Sequence, residues 1–207
     1  MSNLKYVITG TGRCGTRFAA KSFSSAGVRC GHEQVFRFRR VRAAPSHVVA
    51  DSSWAALPYL DHPVARGAIL IHLVRHPLKV IGSWAGNRSL TYPDRAYQLG
   101  HRIWDCCAAR LLPALYEFDS LQEMGAYRWV TWNRLIEEYT AQRESRFCRV
   151  EDGLAATIAS LGEKGVPTYA DTRCNTLPHP ELSLGDIPPG RWRDEMIAMG
   201  ERYGYEF

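Results

Sequence analysis

Residues 5–17, Lys-Tyr-Val-Ile-Thr-Gly-Thr-Gly-Arg-Cys-Gly-Thr-Arg, constrain this chain more than any other segment. A short run of Tyr, Val, Ile and Thr reads as a strand, since β-branched and aromatic residues fit a pleated, buried surface. It empties into three glycines within six residues, and a helix follows over 16–26. A strand, a glycine-rich turn and a helix together form an anion cradle. The glycines let backbone approach closely, and the N–H groups at the helix start point at a phosphate-like ligand.

The cradle is not the usual nucleotide loop, which needs Gly-x-x-x-x-Gly-Lys-Ser/Thr so that Lys meets the outer phosphates and the hydroxyl meets Mg²⁺. Gly10 and Gly15 keep the spacing, but Thr16 stands at the Lys position and Arg17 at the hydroxyl position. The cation has moved inside the loop, to Arg13. Such a loop suits transfer of a group other than a metal-held phosphoryl. Cys14 admits two readings. Helix starts depress thiol pKa values, as a nucleophile requires, but the Cys-x₅-Arg spacing of phosphatases is absent because position 20 is Ala. A loop-lining role is the expectation.

With 207 residues the chain can bury one sizeable core, and 26 Lys and Arg against 21 Asp and Glu leave a net charge of +5. That balance favours anionic ligands without choosing among them. The six cysteines form no Cys-x-x-Cys pair, so they read as reduced and the protein as cytoplasmic. The longest apolar run, 68–74, is too short for a bilayer span.

Strand candidates at 6–9, 47–50, 68–74 and 147–150 alternate with helices from 77, over 93–117, after Ser120, from 152 and over 192–203. Ser120 with Glu123 has capping-box spacing. This alternation argues an α/β domain with a parallel sheet, whose ligands sit at the carboxyl ends of the strands. The loop after Thr9, Asp51 and Arg75 then share one edge. Residues 35–46 read as a basic, aromatic excursion and 164–190 as a long loop. Arg37, Arg39, Arg40 and Arg42 could form a nucleic-acid patch, but a solvated lip steering an anionic acceptor is the preferred reading, with no nucleic-acid partner.

A second segment, Arg75-His76-Pro77-Leu78-Lys79-Val80-Ile81-Gly82-Ser83, places an Arg at a strand end and a Ser two helical turns later. An Arg fork and a hydroxyl can meet at one phosphate. With Arg13-Cys14-Gly15-Thr16, this pattern resembles the sulfotransferases that use 3′-phosphoadenosine 5′-phosphosulfate (PAPS), most closely bacterial and carbohydrate-type members. Gly31-His32-Glu33, Trp132-Asn133-Arg134-Leu135 and Arg149-Val150-Glu151-Asp152 look like further landmarks. Cys14 stands where Ser is usual and His76 where Asp or Asn is common. The late loop lacks an Arg-Lys-Gly pattern, for which Arg173 and Asn175 are candidate substitutes.

The resemblance implies one P-loop-like domain over 1–207, a doubly wound parallel sheet flanked by helices. It implies PAPS as donor, 3′,5′-ADP as product, no metal, and a carbohydrate or small-molecule acceptor. Gly12, Arg13, Cys14, Gly15, Thr16 and Arg17 would hold the 5′-phosphosulfate, and Arg75 and Ser83 the 3′-phosphate. Arg13 would stabilise the leaving group. Glu33 would be the general base, with His32 as the alternative. Two rival expectations are a P-loop kinase or NTPase and a non-catalytic module that binds the nucleotide without turnover.

Overall fold

The computed structural model describes residues 4–37, 40–85, 118, 120–169 and 179–207. The chain divides into two compact units, Met1–Val74 with Leu135–Asn175, and Arg75–Arg134 with Thr176–Phe207.

The first unit is α/β. Strands β1 (Tyr6–Thr9), β2 (Cys30–His32), β5 (Ala50–Ser52), β6 (Ile69–Val74) and β7 (Ser145–Arg149) form a parallel sheet in the order β2-β5-β1-β6-β7. A separate antiparallel hairpin joins β3 (Phe36–Arg37) and β4 (Arg40–Val41). The central strands β1 and β6 carry the β-branched runs, and every residue of β1 is buried, as a strand covered on both faces requires. Connections leave β1 toward β2 on one side, while β6 leads to β7 on the other. The reversal falls between β1 and β6, the place where open parallel sheets bind ligands.

Helix α1 (Thr16–Ser25) is amphipathic and lays Phe18, Ala19 and Phe23 on the sheet face carrying Tyr6, Ile8, Ile71 and Leu73. A short helix α4 (Ala155–Ser160) adds Ile158 to the same core. The loop between β1 and α1 is pressed against β6. A Cβ on Gly10 would lie 2.0 Å from the Leu73 carbonyl oxygen and 2.7 Å from Cys14 Sγ. Gly10→Ala is therefore expected to cost about 1–3 kcal/mol, read as a lower denaturant midpoint at unchanged m-value. An unshifted midpoint would contradict this close approach.

The second unit contains α2 (Pro77–Ala85), most of α3 (Leu121–Thr140) and α5 (Arg191–Arg202). Ser120 Oγ accepts the Glu123 N–H at 3.2 Å, so the expected cap is present at the start of α3. The Trp129, Trp132 and Ile136 stripe is buried, with Leu135 and Tyr139 partly so. Gly125 brings α3 close to α2, since a Cβ there would meet Ile81 at 2.9 Å. Tyr127 packs edge-on to Trp192 of α5 at 4.6 Å, and Arg134 pairs with Glu195 at 2.6 Å.

Several expected boundaries move. The strand expected at 47–50 is Ala50–Ser52, so Asp51 lies within it rather than after it. The strand expected at 147 begins at Ser145. The helix expected from 152 is a 3₁₀ turn, Val150–Asp152, broken at Gly153, with α4 starting at Ala155. The late loop contains a 3₁₀ turn, Leu184–Asp186, closed by a Ser183–Asp186 capping box. The helix expected over 93–117 lies outside the described residues, as do Arg39, Arg173 and Asn175. No helix among the described residues is long and apolar enough to cross a membrane.

Candidate functional site

The loop leaving β1 turns sharply at two left-handed positions. Arg13 has φ 69° and Gly15 has φ 95°. Gly15 is the N-cap of α1 and supplies no side-chain acceptor, and no acidic residue occupies the first turn. The first N–H groups of a helix have no intrahelical partner. Here no side-chain cap is made and no carboxylate stands in the first turn, so the positive end of the helix has no built-in counter-charge, in a segment that carries Arg13 and Arg17. This is the polarity an anion needs.

Cys14 faces the other way. Its thiol is fully buried among Phe18, Val150 and Leu154, and its N–H donates to the Thr11 carbonyl at 3.2 Å. Gly12 is buried and Arg13 half-buried, while the Arg17 side chain is exposed. Cys14, Cys30 and Cys148 are free thiols; Cys106, Cys107 and Cys174 lie outside the described residues.

His32 comes to this loop at the end of β2, an edge strand that sequence reasoning did not find, and Glu33 follows it. Thr16, the first residue of α1, sets its Oγ1 3.3 Å from His32 Nε2. The Thr16 carbonyl accepts the Ser52 hydroxyl at 2.8 Å, which ties the start of α1 to the end of β5. His32 Nε2 and Glu33 Oε1 are 3.9 Å apart. Their side chains are 32% and 36% exposed, enough for an acceptor to reach either.

Burial pulls both titrations away from their ordinary values, in opposite directions. It lowers the His32 pKa, against the attraction of Asp51 and with help from Arg17. It raises that of Glu33, against a hydrogen bond from Trp54 and the nearby Arg37 charge. These shifts draw the two titrations toward one another, which suits a pair that takes up and passes on a proton.

The position of Glu33 is imposed by Asp51. Asp51 is fully buried in β5, and its carboxylate accepts the N–H groups of Gln34 (3.0 Å), Val35 (3.3 Å) and Phe36 (3.1 Å). Burial raises its pKa, and those three donors work against the rise. They fold the chain back after β2 and leave Glu33 in the left-handed region, φ 54°, with its N–H on the Ser52 carbonyl. Arg37 closes the turn by donating Nε–H to the Glu33 carbonyl at 3.0 Å. The expectation that Asp51 lies with the ligand-facing groups at the sheet edge is thus corrected. Its carboxylate is used up by backbone, and its role is to build the turn.

The basic excursion is the β3–β4 hairpin. Arg37 and Arg40 are directly paired across it, and both like charges bear on Arg42, whose pKa they lower. Arg37, Arg40 and Arg42 are exposed, and Arg37 reaches the Glu33 carbonyl.

In the second unit, Arg75 is the first residue after β6 and is half-buried; Ser83 lies on α2 and is 3% exposed. Trp129 Nε1–H donates to the Arg75 carbonyl at 3.2 Å. His76 caps α2, accepting the Leu78 N–H on Nδ1 at 3.3 Å. No family model matches the chain, and no curated protein matches it.

Proposed function

We propose that the chain is a sulfotransferase of P-loop-like fold that moves a sulfuryl group from PAPS to an acceptor hydroxyl and leaves 3′,5′-ADP. The observation that carries this reading is the union, within one compact unit, of an uncapped helix start flanked by two arginines with the His32–Glu33 pair, through the Thr16–His32 contact. The donor set fits a phosphosulfate: helix-start N–H groups with no side-chain cap, a loop cation and no carboxylate in the first helical turn.

In this reading Arg13 and the N–H groups at the start of α1 hold the 5′-phosphosulfate. The bond from sulfur to the bridging oxygen breaks, and its electron pair stays on the phosphate. Fixed donors aimed at that oxygen stabilise the charge it gains, which is usually the largest single catalytic contribution. A new bond forms from the acceptor oxygen to sulfur, and the acceptor proton passes to Glu33, with His32 as the alternative base. The sequence pattern assigns the 3′-phosphate to Arg75 and Ser83. By resemblance the acceptor is a carbohydrate or a carbohydrate-bearing metabolite, and the Arg37–Arg42 lip would steer an anionic one.

Arg75→Ala is expected to weaken 3′,5′-ADP binding by about 1.5–3 kcal/mol, the size of a charge-assisted hydrogen bond, with 5′-AMP binding unchanged. Titration calorimetry measures both, and unchanged 3′,5′-ADP affinity would remove Arg75 from the site. The activity itself is tested by following labelled sulfate from PAPS into a panel of sugars and phenols in the presence of EDTA. Transfer that survives EDTA supports the reading. Transfer of phosphate from ATP with a strict Mg²⁺ requirement would replace it with a kinase.

A further inference from the structure

Arg75 belongs to no helix or strand, yet the backbone just after it is held twice from a distance, at its own carbonyl and at the His76 side chain. Its carbonyl accepts the Trp129 indole N–H. The next residue, His76, is gripped by the segment after α5. The imidazole lies between the rings of Tyr205 and Phe207, with centroids 5.1 and 5.4 Å away. Because Nδ1 accepts the Leu78 N–H, the ring proton is on Nε2, which donates to the Glu206 carbonyl at 3.0 Å.

The segment is itself firmly seated. Tyr205 is buried, and its N–H donates to the Gly200 carbonyl at 2.9 Å. The Phe207 ring lies flush on Gly200, where a Cβ would come within 2.6 Å of it. Tyr203 packs edge-on to Trp129 at 5.8 Å, so the two holds on Arg75 meet behind it. Packing alone does not require a hydrogen bond from a helix-capping histidine to the backbone of a chain segment 130 residues away.

We propose that residues 203–207 are a positioning element for Arg75. They fix the 75–76 backbone from which the Arg75 side chain reaches the nucleotide 3′-phosphate. The inference rests on the assignment of Arg75 to that phosphate. His76 and Phe207 act through Arg75 and are positioning residues, not catalytic ones. Without them the 75–76 backbone has to be ordered on binding, which costs about three- to tenfold in affinity.

Two variants test this in the intact chain. His76→Asn keeps a good cap for α2 but is too short to reach Glu206. Phe207→Ala removes a ring that is 39% exposed, a mild change for the core, and Phe207→Tyr restores it. Affinities for 3′,5′-ADP and 5′-AMP are measured by calorimetry for each. The proposal expects the wild type to prefer 3′,5′-ADP, the preference to fall about three- to tenfold in His76→Asn and Phe207→Ala, and Phe207→Tyr to recover it. A wild-type preference that survives both variants would overturn the positioning role, as would equal weakening of both nucleotides. A wild type without preference would overturn the assignment of Arg75 itself, and the inference with it.

Discussion

If the proposed sulfuryl transfer is the reaction, Glu33→Gln is expected to lower its kcat by about 10²–10⁴, the usual contribution of a general base, and to leave 3′,5′-ADP affinity where it was. The substitution is nearly isosteric, so the left-handed turn, the Trp54 contact and the bond from Arg37 to the Glu33 carbonyl survive it. What disappears is the proton acceptor. The pH profile distinguishes the two candidates. With Glu33 as base, kcat/KM rises with pH as the carboxyl ionises, and the midpoint lies above the ordinary glutamate value because burial raises it. With His32 as base, the midpoint lies below the ordinary histidine value, and Glu33→Gln leaves most of the activity. Full activity in Glu33→Gln, with loss in His32→Ala, would transfer the role to His32.

Asp51→Ala is expected to be the most destabilising single change at the site, by about 3 kcal/mol or more. Three N–H donors lose one shared acceptor, and each buried donor left unpaired costs about 1–3 kcal/mol. The upper end of that sum is not reached because Gln34 is exposed and water can serve its N–H. Turnover falls with stability, since the turn that fixes Glu33 is the one Asp51 builds. Chemical denaturation at neutral pH measures the loss. A variant within 1 kcal/mol of the wild type would mean that the three bonds to Asp51 do not hold the turn.

What was legible in the sequence was local. The β1–loop–α1 junction, β6, the Ser120 cap of α3 and α5 each announce themselves through contiguous residues: a β-branched run, closely spaced glycines, a cap three residues before its Glu, an apolar stripe. What was not legible depends on partners distant in the chain. β2 is Cys-Gly-His, with no β-branched residue, and becomes a strand only because β5 offers it a parallel ladder. It is nevertheless the strand that carries His32. Asp51 read as an edge group because it follows an apolar stretch. Its true office, collecting N–H groups 15–17 residues earlier, leaves no local pattern. Arg13 and Glu33 share a signal that sequence cannot show, a left-handed backbone in a side chain other than glycine. Such positions persist only where surrounding bonds over-determine them, and they concentrate at functional sites.

The His76 clamp was hidden for the same reason. A histidine after a strand and a Tyr-Gly-Tyr-Glu-Phe segment 130 residues later carry no sequence relation. In the fold the imidazole is both a helix cap and a donor to that segment.

The most direct test of the account is a thermal shift of the wild-type protein with 3′,5′-ADP, 5′-AMP, or ATP plus Mg²⁺, each at about 100 times its dissociation constant for the tightest binder. Saturation at that ratio adds about 2.7 kcal/mol, which is a readily measured rise in midpoint. The account predicts stabilisation by 3′,5′-ADP well beyond that by 5′-AMP at the same concentration, and no need for Mg²⁺. Stabilisation by ATP plus Mg²⁺ alone, with 3′,5′-ADP inert, would contradict it.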